Sequence, residues 1–168
     1  NGTPHHLQAL ELKKFVAAKL TGYSSMAKVR DITLVDEVPQ DAVVSVDSQM
    51  LTRLLQNLVR NAIKYHRSGG SVTVKYSAND SFWQLHVVDT GIGIAQKDIS
   101  RLFERFYRAD DSRTKQKVSG TGLGLAIVKE LVDSIGGVIH VKSQRGVGST
   151  FTVEFPINDG SQTAQVDK

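Results

Sequence analysis

Four short segments combine residue types and spacings that could do chemistry: residues 57–65, 89–93, 102–108 and 119–128. In the first, Asn57, Asn61 and Lys64 stand at i, i+4 and i+7, which places them on one stripe of a helix. An amide oxygen is a competent hard ligand for Mg²⁺, an ion that keeps several waters and shares its shell with substrate phosphates. Lys64 can offset phosphate charge, and Tyr65 offers a flat face. The competing reading is a set of solvated helix polars. In the second segment, Trp83, Leu85, Val87 and Asp89 alternate onto one strand face, so a carboxylate continues an apolar row. Burying it without a donor is costly, and a purine amino group is one donor that would serve. Gly91 and Gly93 let backbone approach a ring closely. Alternatively, Asp89 caps a helix beginning near Ala95.

The fourth segment places Gly120, Thr121, Gly122, Leu123 and Gly124 ahead of an apolar run. A helix N-terminus with free N–H groups, reached through glycines, is suited to phosphate; a flexible hinge is the plainer reading. In the third, Phe103 and Phe106 lie at i and i+3 among Arg105, Tyr107 and Arg108. They are core packing, or, if one is exposed, a docking surface. Taken singly the segments are weak signals; together and in this order they point to an ATP site. It is not a common one. No Gly-Lys-Ser/Thr occurs, Gly91 and Gly93 lack the third glycine of a dinucleotide fingerprint, and the protein-kinase catalytic signatures are absent.

These residues need a scaffold. A length of 168 residues, with 40% apolar and 23% charged side chains, suits one globular domain. With no cysteine there can be no disulfide, thiol nucleophile or cysteine-based zinc site. A net charge of +4 without a basic tract argues against nucleic-acid binding. No membrane-length apolar run or signal-peptide pattern is present. Apolar spacing predicts an amphipathic helix over about 7–28, then strands 32–35 and 43–46 joined as a hairpin through Pro39. Asp47 or Ser48 is expected to cap a helix to about His66, and a third long helix is expected over about 122–135. Strand pairs 72–76 with 83–88 and 138–142 with 150–155 complete the elements. The pattern implies an α+β two-layer sandwich, with a mixed or antiparallel sheet and helices on one face. Residues 108–120 read as a mobile loop. The domain is expected to span 1–157, followed by a polar, disordered tail at 158–168.

The four segments resemble the N, G1, F and G2 boxes of bacterial sensor histidine kinases, relatives of the DNA gyrase and MutL ATPases. The resemblance runs from about Leu7 to Pro156, and 103–108 and 120–129 are its most specific strings. It implies a two-layer ATP-binding domain with a mobile lid at about 108–120. By position, Asn61 resembles the Mg²⁺-binding asparagine and Asn57 its helical neighbour. Lys64 resembles the phosphate-contacting lysine, and Tyr65 the residue that packs on adenine. Asp89 resembles the adenine-binding aspartate, with Gly91 and Gly93 shaping its pocket. Arg108 resembles the arginine near the γ-phosphate, and 120–124 the phosphate-binding glycine run. Ser119 and His66 depart from the pattern; His66 stands where Thr or Ser is common, and is expected to matter little.

The family transfers phosphate to a histidine on a preceding helical dimerisation domain. No such context surrounds His5, His6, His86 or His140. The chain therefore reads as the catalytic, cytoplasmic half of a kinase, itself without membrane contact. It would act with that domain of the same parent and, indirectly, with a response regulator. A clamp-type ATPase is the chief alternative. There a glutamate four residues before the metal-binding asparagine activates water, and Asn57 cannot replace it. A non-catalytic nucleotide-binding module is the remaining one.

Overall fold

In the computed structural model, residues 5–105, 107 and 124–157 are described. Residues 8–11 form β1 (Gln8–Glu11), followed by α1 (Leu12–Thr21), α2 (Ser24–Val29), β2 (Ile32–Asp36) and β3 (Val43–Val46). Then come α3 (Ser48–Lys64), the hairpin β4 (Gly70–Ala78) and β5 (Phe82–Asp89), and the short α4 (Gln96–Ile99). The elements close with α5 (Gly124–Ser134), β6 (Val138–Gln144) and β7 (Gly148–Pro156). The mixed five-stranded sheet has the order β2-β4-β5-β7-β6, and β1 pairs separately with β3.

Two expectations are corrected. Residues 7–28 are not one helix: Gln8–Glu11 extend to pair antiparallel with β3, and the helix breaks at Gly22 between α1 and α2. Long-range strand pairing overrides local helical periodicity in this stretch. Nor do β2 and β3 form a hairpin. The intervening residues bury Val38 and Ala42 and carry β3 away to β1, and β2 instead runs parallel to β4. That parallel pairing needs a crossover, which α3 supplies. The expected tail at 158–168 lies outside the described residues.

The other expected elements are present. Asp47 caps α3 through Oδ1, which accepts from the Gln49 and Met50 amides at 2.9 and 3.1 Å. At the far end Arg30 donates to the carbonyls of Lys64 and His66, at 3.0 and 3.4 Å, and so satisfies groups a helix leaves open. Leu51, Leu54, Leu55, Leu58, Ala62 and Ile63 of α3 are buried against the sheet. The sheet answers with Val72, Val74, Trp83, Leu85, Val87, Phe151, Val153 and Phe155. Trp83 stacks on Phe155 with ring centres 3.9 Å apart and planes at 8°. Each large apolar side chain so buried contributes about 1.5–3 kcal/mol. The opposite sheet face, including Lys75, His86, Thr152 and His140, is largely polar and is left uncovered, so the fold has two layers. Among the described residues no helix is long and apolar enough to cross a membrane.

The Leu55 side chain is fully buried at the centre of this packing. Leu55→Ala is expected to lower the unfolding free energy by about 2–5 kcal/mol, measured as a fall in the urea midpoint. An unmoved midpoint would contradict this placement of α3.

Candidate functional site

Asp89 ends the core face of β5. In the sheet register Val74, Val87, Phe151 and Val141 form one apolar row, and the next row is Val72, Asp89, Ser149 and Ser143. The core thus turns polar at one rung. Asp89 Oδ1 accepts from the Gly91 amide at 2.9 Å and from the Ser149 amide at 3.3 Å. Burial pushes its carboxyl above the ordinary 3.8, opposed by the Gly91 bond, the nearby His66 and the Ser149 bond. Asp89 is not a helix cap: Ala95 stands at the N-cap of α4, with no side-chain cap bond.

The loop after Asp89 is held from two sides. On one side is the β6–β7 turn. Gly93 has φ +72°, and a Cβ there would lie 2.1 Å from the Gln144 carbonyl oxygen. Gly148, at φ +142°, approaches so closely that its Cβ would lie 2.0 Å from the Asp89 carbonyl oxygen. Neither site tolerates a side chain. The Gly146 amide donates to the Ile92 carbonyl at 2.7 Å, and the Ile94 amide to Ser143 Oγ at 2.8 Å. On the other side is the end of α3, where the Ile92 amide donates to the Tyr65 carbonyl at 3.4 Å.

His66 is far from a neutral replacement. It is only 5% exposed, and its Nε2 lies 3.0 Å from Thr90 Oγ1. Its Nδ1 lies 2.6 Å from the Arg67 carbonyl, which can only accept, so Nδ1 carries the proton. Nε2 then accepts from Thr90, whose oxygen also accepts from the Ser71 amide at 3.0 Å. The expectation that His66 matters little is therefore overturned: its ring locks the loop to both α3 and β4.

The residues expected on the phosphate side lie along α3. Asn57, Asn61, Lys64 and Tyr65 are all half-buried at the edge of the core rather than fully solvated. Asn57 Nδ2 donates to the Arg53 carbonyl at 2.7 Å. Its Oδ1 faces the start of α5, where a Cβ on Gly124 would be 3.3 Å away. The amide stripe and the glycine-led helix start, distant in sequence, therefore meet. Gly120, Thr121, Gly122, Leu123, Arg108, Phe106, Ser119 and the whole of the expected lid at 108–120 lie outside the described residues. Phe103 is partly buried against the core, as the packing reading has it. Arg105 pairs with Glu130 of α5, and the Tyr107 hydroxyl donates to the buried Asp98.

Sequence reasoning missed Arg30, Arg67, Thr90, Ser143 and Ser149. Each acts through backbone or hydroxyl contacts across the fold, which leave no local pattern. The one available signal was Gly146-Val147-Gly148 before Ser149, two glycines flanking a turn that opens a strand.

Residues 46–159 match the family described as histidine kinase-, DNA gyrase B-, and HSP90-like ATPase. The chain belongs to that family. The sensor histidine kinase WalK of Bacillus subtilis (strain 168) is 41% identical over 137 residues, 80% of this chain and 22% of its own length. The sensor-like histidine kinase SenX3 of Mycolicibacterium smegmatis is 37% identical over 150 residues, 89% of this chain and 39% of its own. The chain thus spans well under half the length of these relatives. The crystal structure of full-length ShkA in complex with AMPPNP superposes with a TM-score of 0.80 at 28% identity, covering 93% of this chain and 32% of that one.

Asp89 makes the site sensitive to acid. Falling pH protonates it at a pH above 3.8 because burial favours the neutral acid. With Asp89 as the adenine acceptor that the sequence resemblance implies, adenine-nucleotide affinity is expected to decline as pH falls through that raised value, since the charged acceptor is lost. The contribution of Asp89 to the stability of the nucleotide-free fold runs the other way, fully present below 3.8 and lost as pH rises through the raised value. Calorimetric titrations with ADP at descending pH check this. Asp89→Asn should bind weakly with no such inflection, and a wild-type affinity flat with pH would contradict the role.

Proposed function

We propose that residues 1–157 are the catalytic domain of a sensor histidine kinase. The domain binds Mg·ATP and presents the γ-phosphate to a histidine on a helical dimerisation domain of the same parent protein. The phosphohistidine then supplies a response regulator, and the domain works in the cytoplasm, where ATP is available. The observation that carries this reading is the position of Asp89, a carboxylate closing an apolar sheet row beside a glycine loop, with the amide stripe of α3 meeting the start of α5. Asp89 accepts the adenine amino group, and Gly91 and Gly93 admit the ring. Tyr65 packs on it. Asn57, Lys64 and the α5 N-terminus with Gly124 hold the phosphates.

Mg²⁺ fits the donors present. Among the described residues no group of three or more His, Cys, Asp or Glu could form an all-protein cage. A half-buried amide such as that of Asn61 suits an ion that shares its shell with phosphate and water. Bound there through Asn61, Mg²⁺ would neutralise phosphate charge. The domain's own residues position the nucleotide and balance charge. The attacking histidine nitrogen forms the new P–N bond as the bond from phosphorus to the β–γ bridging oxygen breaks, and ADP leaves. Asn57 offers no general base for activating water, which favours transfer over hydrolysis and sets this chain apart from clamp-type ATPases.

The chain incubated alone with Mg·ATP should bind nucleotide, turn it over slowly and acquire no stable label. Addition of the parent's separately prepared dimerisation domain should produce acid-labile phosphate on that domain's histidine. Rapid turnover by the chain alone would instead make it a clamp-type ATPase. Asn61→Ala should abolish the gain in ATP affinity that Mg²⁺ brings, read by calorimetry with and without the metal. A full gain in the variant would place the metal elsewhere.

A further inference from the structure

Three consecutive residues at the end of α3 each bond to the loop that follows Asp89. The Tyr65 carbonyl accepts from the Ile92 amide at 3.4 Å, His66 Nε2 lies 3.0 Å from Thr90 Oγ1, and Arg67 Nη2 donates to the Gly91 carbonyl at 3.3 Å. Only the last reaches further. The same Arg67 nitrogen donates to the Gly146 carbonyl at 2.6 Å, on the far side of the loop in the β6–β7 turn. Two hydrogens on one guanidinium nitrogen therefore span three separate stretches of chain.

The second contact matters because the turn forms the other wall of the loop. Gly146 and Ile92 share a backbone bond of 2.7 Å, and Gly93 and Gly148 leave no room between turn and loop for a Cβ. The Ser149 amide, at the end of that turn, donates to Asp89 Oδ1 at 3.3 Å. A shift of the turn would move a donor off Asp89 and change the width of the Gly91–Gly93 loop together. The side chain of Arg67 is otherwise exposed, so the core does not require it. A planar donor with hydrogens in fixed directions suits two carbonyls at once, whereas a lysine ammonium is a point charge on a flexible stem.

We propose that Arg67 is a positioning residue for the adenine end of the nucleotide site: it clamps the β6–β7 turn against the 89–93 loop and so presets the pocket around Asp89. This rests on the reading of the site as an adenine-nucleotide site. It acts without touching the ligand, and it acts on the base rather than on the phosphates.

Calorimetric titration of wild type, Arg67→Ala and Arg67→Lys with ADP and with adenosine tests this, beside hydrogen exchange of the nucleotide-free proteins. Arg67→Ala should weaken both ligands by the same factor, about threefold to tenfold, with Arg67→Lys recovering part of the loss. Exchange should quicken at 144–148 and 90–93, with the thermal midpoint close to wild type. Unchanged affinity in Arg67→Ala overturns the proposal. A loss for ADP but not adenosine also overturns it, because Arg67 would then be acting on the phosphates. If Arg67→Ala proves globally unstable, Arg67→Lys decides: loss of adenosine affinity at an unchanged midpoint supports the clamp, and no loss refutes it. Wild type binding neither ligand would refute the nucleotide reading instead. The clamp would still stand or fall by the exchange at 144–148.

Discussion

The partial burial of one carboxylate constrains everything packed around it. Asp89 occupies a sheet position that the alternation of Trp83, Leu85 and Val87 would give to an apolar side chain. A charge there must be met by donors, and the surrounding chain is arranged to bring them. The Ser149 amide comes from the neighbouring strand, and the Gly91 amide from the loop itself. The close approach at Gly148 brings the first of these into range. His66 and Arg67 fasten the loop from the end of α3. Arg30 in turn caps that helix end, so a residue between α2 and β2 helps fix the floor of the site.

The edge carrying Asn57, Asn61 and Lys64 is built on a different principle. It relies on two helices rather than a network of bonds. The buried leucines of α3 settle its rotation, and that rotation places Asn57, Asn61 and Lys64 along one edge. The start of α5 arrives against Asn57 at a glycine, where a larger residue would press on the amide oxygen. The surroundings of Asp89, set by hydrogen bonds, and the Asn57–Lys64 edge, set by helix packing, thus share α3 as their common wall.

Much of this was legible in the sequence because the relevant signals are local. An apolar alternation ending in Asp89, a leucine stripe beside an amide stripe, and glycines ahead of an apolar run each report on one element. What was not legible depends on partners distant in the chain. Gln8–Glu11 have the apolar spacing of a helix start and become a strand because Val43–Val46 offers a ladder. Ile32–Asp36 looks like half of a hairpin and becomes a parallel edge strand because α3 carries the chain across. His66 looks like a tolerated variant at a Thr or Ser position, yet its ring reaches Thr90. Arg67 gives no signal, because its acceptors are backbone carbonyls.

The strand order also separates the fold by the length of chain that each pairing must close. The β4–β5 and β6–β7 hairpins close over tight turns, at small entropic cost. The β2–β4 and β1–β3 pairings join residues far apart in the chain and cannot be retained until the helices between them are in place. Asp89 belongs to a local hairpin, whereas the Arg30 cap and the end of α3 belong to the distant closures. The surroundings of Asp89 therefore depend on the distant closures, and the local hairpins alone would hold the carboxylate without its pocket.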